Sequence, residues 1–229
     1  MNFGGIQKVS LIDYPGKISA VIFVSKCNFR CPYCHNGDLV KGLTKEISEV
    51  SILEYLDQSK SFLEAVTISG GEPTLYPDIE FFIEKIKKTG LLIKLDTNGS
   101  APELLSNLKK QGLIDYIAMD FKTLPEYYEK LNAPNTVDAN IKKSINIIME
   151  GWNEYEFRTT CIKPFISLEI IKQMGKHIQN AKLWVIQKCH TTRILSPEFF
   201  QKEDRLFSNG EIEGFHEEAL KFVRNSFIR

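Results

Sequence analysis

The chain has 229 residues, 43% hydrophobic and 25% charged, with 29 Lys plus Arg balanced by 29 Asp plus Glu. A net charge of zero supplies no long-range field to recruit nucleic acid or an anionic membrane, and no apolar run approaches the ~20 residues of a spanning helix. Its five cysteines are an odd number for a disulfide framework and point instead to metal binding or redox chemistry.

The opening "MNFGGIQKVSLIDYPGK" lacks the basic-then-apolar layout of a signal peptide. A cytoplasmic protein with reduced thiols is therefore expected. The same segment reads as turns or a small hairpin, with Tyr14-Pro15-Gly16 as a turn signal. "ISAVIFVS" (Ile18 to Ser25) is β-branched and apolar, the mark of a buried strand. Ile52, Tyr55, Leu56 and Leu63 then mark a helix near 46–63. "AVTIS" from Ala65 is a second strand, followed by a helical face of Ile79, Phe82, Ile83 and Ile86. "LLIKLD" from Leu91 is a third, with a helix on Leu104, Leu105 and Leu108 behind it. "IDYIAMD" from Ile114 is a fourth, and Ile141, Ile145, Ile148 and Met149 form the next helix. "EYEFRTT" from Glu154 and "AKLWVIQ" from Ala181 are the fifth and sixth strands, separated by a helix on Ile170, Ile171, Met174 and Ile178. The tail from Ser196 is more charged and carries a helical face of Ile212, Phe215, Ala219, Phe222 and Val223.

Sequential βα units joined by right-handed crossovers form a parallel sheet, either an open doubly wound sheet or a full or partial barrel. In each of these the working site lies at the carboxyl ends of the strands. The unusual polar residues obey that rule. "KCNFRCPYC" follows the first strand, "GGEPT" the second, "DTNG" ends the third and "MDFK" the fourth. Arg158 lies in the fifth strand, and "KCH" follows the sixth.

Cys27, Cys31 and Cys34 have a spacing that would fit one helix face, but Pro32 breaks a helix there and pushes the residue before it away from helical angles, which favours a loop. A loop can curl three sulfurs around one centre. That centre is zinc, with a fourth ligand from His35, Cys189 or His190, or an iron–sulfur cluster. A four-iron cluster usually takes four cysteines. With three, one iron keeps an open position for a small molecule.

"CNFRCPYCHN" is similar to the CxxxCxxC motif of the radical S-adenosylmethionine superfamily, including the aromatic residue before the last cysteine. "GGEPT", "LDTNG" and "AMDFK" resemble the corresponding stretches of glycyl-radical-enzyme activating proteins. The "YPGK" entry and the "CHN" after the cysteines most resemble the anaerobic ribonucleoside-triphosphate reductase activating proteins, with the pyruvate formate-lyase activating enzymes as near relatives.

The resemblance implies a partial (β/α)6 barrel over a single domain, 1–229, with a core at 17–190 and a C-terminal extension at 191–229. It implies a [4Fe–4S] cluster on Cys27, Cys31 and Cys34, whose free iron chelates S-adenosylmethionine. One electron from a flavodoxin or ferredoxin would then release a 5′-deoxyadenosyl radical, which abstracts hydrogen from a backbone glycine of a partner enzyme. That chemistry requires no acid–base pair or hydroxyl nucleophile.

The cofactor-binding residues it implies are Tyr33 near the adenine, and Gly70, Gly71 and Glu72 at the ammonium of the methionine moiety. Asp96 and Asp120, with Thr97, would take a monovalent cation near its carboxylate. Lys122 and Arg158 would meet cofactor or substrate, and His190 aligns with a cofactor-contacting histidine. Each residue also has a plainer reading. Tyr33 covers the cluster, the glycines turn, Asp96 and Thr97 cap, Arg158 pairs with Asp120, Lys122 is solvated, and His190, Cys161 and Cys189 are structural. The rival functions are an activase of another glycyl radical enzyme, of the pyruvate formate-lyase type, a radical enzyme acting on a small molecule, as 7-carboxy-7-deazaguanine synthase does, and a zinc-stabilised scaffold or electron carrier.

Overall fold

Eight strands lie side by side in chain order in one sheet. They are seen in a computed structural model that describes residues 1–134, 136–152, 154–192, 194–201 and 204–229. β1 (Phe3–Ser10) runs antiparallel to β2 (Ser19–Val24). From β2 onward every pairing is parallel: β3 (Ala65–Gly70), β4 (Leu92–Thr97), β5 (Tyr116–Asp120), β6 (Tyr155–Cys161), β7 (Trp184–Lys188) and β8 (Ser226–Ile228). The helices are α1 (Gly37–Lys41), α2 (Glu49–Ser59), α3 (Ile79–Lys87), α4 (Pro102–Lys110), α5 (Val137–Gly151), α6 (Leu168–His177) and α7 (Asn209–Ala219). β2 to β7, each followed by at least one helix, form the expected partial (β/α)6 barrel. β1 and β8 extend it at its two edges.

The alternation of side chains along a strand divides the two faces. Ile22, Val24, Val66, Ile68, Ile93, Leu95, Ile117, Met119, Phe157 and Ile186 belong to the main apolar core beneath the helices. Ile79, Phe82, Ile83 and Ile86 of α3 and Ile141, Ile145 and Ile148 of α5 are buried against it. The alternate positions face the barrel interior and are largely polar. At the strand-start end a small cluster of Tyr14, Ala65, Tyr116 and Ala118 sits apart from that core, with the two tyrosine rings 5.7 Å apart.

Two expectations change. Of turns or a small hairpin expected for the N-terminal segment, the hairpin is what forms, but its first arm is a full eight-residue strand of the main sheet. The C-terminal helix stops at Ala219, and Ser226–Ile228 pairs with β7 through Trp184, Val185 and Ile186. Three residues are too few to display a period of two, so β8 leaves no readable pattern in the sequence. Among the described residues no helix is long and apolar enough to cross a membrane.

Candidate functional site

Pro32 has the predicted effect: the three cysteines lie on irregular backbone between β2 and α1. Lys26, at φ 65°, turns the chain out of β2, and the Cys34 N–H donates to the Cys31 carbonyl over 3.0 Å. Distant segments then pin the loop. Arg30 N–H donates to the Leu131 carbonyl (3.0 Å), Leu195 N–H to that of Cys34 (2.8 Å) and Ser196 N–H to that of Pro32 (3.0 Å). Phe29 is buried edge-on to Tyr128, and Tyr33 is buried against Phe165 with ring centroids 5.5 Å apart. All three cysteines line one cavity of about 430 Å³. Burial pushes the Cys31 thiol up to about 12 and, with help from the Glu72 charge, the Cys27 thiol to about 11. Burial therefore favours neutral thiols here, which become thiolates when a cationic core replaces their protons.

The Gly70-Gly71 pair lies against the root of this loop. Gly70 has φ 114°, and a Cβ on Gly71 would fall 1.7 Å from the Lys26 carbonyl oxygen. The close approach made possible by glycine is thus first to the chain's own backbone. Gly71 N–H donates to the Val24 carbonyl (2.8 Å) and Glu72 N–H to that of Lys26 (2.9 Å). Asn36 Nδ2 donates to the Gly70 carbonyl (2.9 Å). The Glu72 carboxylate accepts from Thr74 N–H (3.1 Å), Thr74 Oγ1 (2.6 Å), Thr97 Oγ1 (2.8 Å) and Asn98 N–H (2.6 Å). Burial still raises its pKa, against the pull of these donors. Glu72 ties the loop after β3 to the end of β4.

Across β4, β5 and β6 runs a chain of alternating charge. Lys94 donates to Asp96 Oδ1, and Asp96 Oδ2 accepts from Ser69 Oγ (2.9 Å) and Arg158 Nη1 (3.2 Å). Arg158 Nε donates to Asp120 Oδ1 (2.9 Å), and Lys122 Nζ to Asp120 Oδ2 (3.0 Å). Behind it Glu156, fully buried, accepts from Tyr116 Oη (3.2 Å) and from both terminal nitrogens of Arg229 (3.2 and 3.3 Å). Burial alone would raise the two aspartates; Arg158, aided by Lys94 at Asp96 and by Lys122 at Asp120, holds both below the usual carboxylate range. Parallel register makes this possible, because Asp120 pairs directly with Arg158 in the β5–β6 ladder.

The pattern of the Radical SAM superfamily matches residues 21–163. The chain belongs to the Radical SAM superfamily. It is 34% identical over 234 residues to a candidate glycyl-radical enzyme activating enzyme of Methanocaldococcus jannaschii, covering 98% of this chain and 94% of the relative. It is 34% identical over 146 residues to the pyruvate formate-lyase-activating enzyme of Listeria monocytogenes, covering 56% of this chain and 58% of that one. In structure it is similar to Streptococcus suis SuiB bound to S-adenosylmethionine, with a TM-score of 0.67, 17% identity, and coverage of 91% of this chain and 49% of SuiB; at that identity the likeness concerns the fold. Membership of the Radical SAM superfamily makes the protein an enzyme and implies a [4Fe–4S] cluster and S-adenosylmethionine. The donor set fits both. Three thiols share the cavity, and the buried Tyr33 hydroxyl beside them has no hydrogen-bond partner.

Of the residues singled out in the sequence, Cys27, Cys31, Cys34, Tyr33, Gly70, Gly71, Glu72, Asp96, Asp120, Lys122 and Arg158 all line this cavity. His190 does not. It is exposed and lines a separate cavity of about 160 Å³ with Cys161, Lys188 and Cys189. The histidine at the main cavity is His35, whose ring lies 6.4 Å from that of His190. Lys122 is paired rather than solvated, and Arg158 pairs with Asp96 as well as Asp120. Sequence reasoning missed Asn36, Ser69, Lys94, Asn98, Glu156, Thr160 and Gln187. One signal was available: Lys94 with Asp96, and Glu156 with Arg158, are polar pairs two residues apart within apolar strands, and therefore share a face.

Proposed function

We propose that this Radical SAM enzyme is an activase that installs a glycyl radical on a partner enzyme, and that the partner is an anaerobic ribonucleoside-triphosphate reductase. The similarity to the M. jannaschii relative, which spans nearly the whole of both chains, supports the activase reading. The "YPGK" and "CHN" stretches support the choice of partner. In this reading Cys27, Cys31 and Cys34 ligate the cluster, and a flavodoxin or ferredoxin delivers the electron. When bound, the cluster and S-adenosylmethionine supply a one-electron cleavage that yields a 5′-deoxyadenosyl radical. The chain's own part is to bind, orient and exclude water. Phe29 and Tyr33 wall the cluster with apolar surface. The Gly70–Glu72 loop, braced by Val24 and Lys26, offers backbone to the methionine ammonium. Lys122 stands between Asp120 and the cysteines, where its charge meets the cofactor.

The guanidinium of Arg158 already bridges Asp96 and Asp120. This favours a side-chain cation, rather than a bound monovalent ion, as the counter-charge at those carboxylates. The core at 17–190 and the extension at 191–229 act as one unit in this reading, since Leu195 and Ser196 of the extension hold the cysteine loop.

The observation that carries the proposal is the cavity itself. Three cysteines line it and the other two line a different one, which leaves one iron of a four-iron cluster without a protein thiolate. The test is anaerobic incubation of reconstituted, reduced protein with S-adenosylmethionine and candidate glycyl radical enzymes, followed by EPR. A glycyl radical on the ribonucleotide reductase is expected. A radical on another enzyme reassigns the partner, and cofactor cleavage with no radical on any of them refutes the activase.

A further inference from the structure

Asn98 is buried just beyond β4, and its amide is fixed from both ends. Ser100 N–H donates to its Oδ1 over 2.9 Å, so the NH₂ group must face the other way. One N–H donates to Asn28 Oδ1 (2.9 Å), and the nitrogen also lies 3.8 Å from Cys27 Sγ. Asn28 cannot turn its own amide to compete, because its Nδ2 donates to Ser100 Oγ (2.9 Å). The Asn98 backbone is held by Glu72 (2.6 Å). Cys27 Sγ also accepts the Phe29 backbone N–H at 3.4 Å. A side-chain amide, oriented by three partners that are not ligands, is therefore aimed at one cysteine sulfur.

Hydrogen bonds to ligand sulfurs are among the factors that set the potential of an iron–sulfur cluster. The extra electron of the reduced state raises the negative charge on the sulfurs, so a donor there stabilises the reduced form. In a buried site, where water competes poorly, the effect is larger. Resting on the reading that Cys27 ligates the cluster, we propose that Asn98 is a positioning residue that raises the cluster's reduction potential through an N–H···S hydrogen bond to Cys27. It thereby sets how readily the physiological donor reduces the enzyme.

The test compares wild type with Asn98→Leu, after anaerobic reconstitution, by iron and sulfide analysis and then by an EPR-monitored redox titration. In Asn98→Leu the oxidised-to-reduced ratio at a fixed solution potential is expected to rise about tenfold, equivalent to a midpoint lowered by about 59 mV. Wild type with no cluster overturns the cluster reading and this inference together. Both proteins loaded, with equal midpoints, overturns this inference alone. Where Asn98→Leu fails to hold the cluster, pulsed EPR of reduced wild type carrying side-chain ¹⁵N-asparagine reads the contact without a substitution. A resolved ¹⁵N coupling is expected, and its absence overturns the inference.

Discussion

The charge chain and the cysteine loop face the same cavity but differ in what they lack. From Lys94 to Lys122 each charge has an opposite within hydrogen-bond reach. In the loop, burial keeps the Cys27 and Cys31 thiols neutral, and the Tyr33 hydroxyl is buried without a partner. The first region is complete in the protein alone and fixes the shape of the site. The second turns three thiols and the buried Tyr33 hydroxyl toward one cavity, and that is where ligand chemistry fits.

The largest effect should come from breaking the incomplete half. Cys27→Ala, Cys31→Ala and Cys34→Ala should each abolish cleavage of S-adenosylmethionine, measured as 5′-deoxyadenosine release, whereas Cys161→Ser should retain it. Equal loss in all four would erase the distinction between the loop cysteines and the others.

Breaking the complete half should act on stability. Arg158→Met leaves Asp96 with Lys94 and Asp120 with Lys122 as their remaining cations, and should cost about 2 kcal/mol in denaturant unfolding at neutral pH. Against burial, the Arg158 guanidinium holds the folded carboxyls of Asp96 and Asp120 below the usual carboxylate range. Their contribution is fully present above the unfolded value of about 4, and it is lost as the pH falls through the lowered folded values. The gap between wild type and Arg158→Met should therefore narrow on acidification below about pH 4. A gap independent of pH would mean that Arg158 acts through packing instead.

A smaller effect sharpens the comparison at one atom. Tyr33→Phe removes a buried hydroxyl that lacks a partner, so the ligand-free protein should gain about 1 kcal/mol. Binding of S-adenosylmethionine to the reconstituted protein, measured by calorimetry, should weaken about tenfold if a ligand satisfies that hydroxyl. Smallest is a change remote from both regions. Ser208 caps α7 in a reciprocal arrangement with Glu211, and Ser208→Ala should cost about 1 kcal/mol in thermal unfolding with unchanged cofactor cleavage.

Much of this site could be read from the chain because it obeys local rules. Pro32 forbids a helix through the cysteines, and each motif follows an apolar strand whose end must lie at the working face. What the chain could not show has one cause, which is contact between segments far apart in sequence. Glu72 looked like a charge offered to a ligand, yet four donors from its own loop and the end of β4 occupy it. Gly71 suggested close approach of a ligand, and the nearest backbone proved to be that of Lys26. His190 lay next to the right strand, but beyond β7 its side chain lines the neighbouring cavity.

By itself the sequence determined the order of the six barrel strands and their helices, the loop that carries the three cysteines and the end of the sheet where polar residues gather, because period, proline and strand ends act over a few residues. Only the tertiary structure decided which charges neutralise one another, which amide faces Cys27 and which part of the C-terminal extension holds the loop. Those choices depend on register between strands and on packing across the barrel, and no short stretch of chain encodes either.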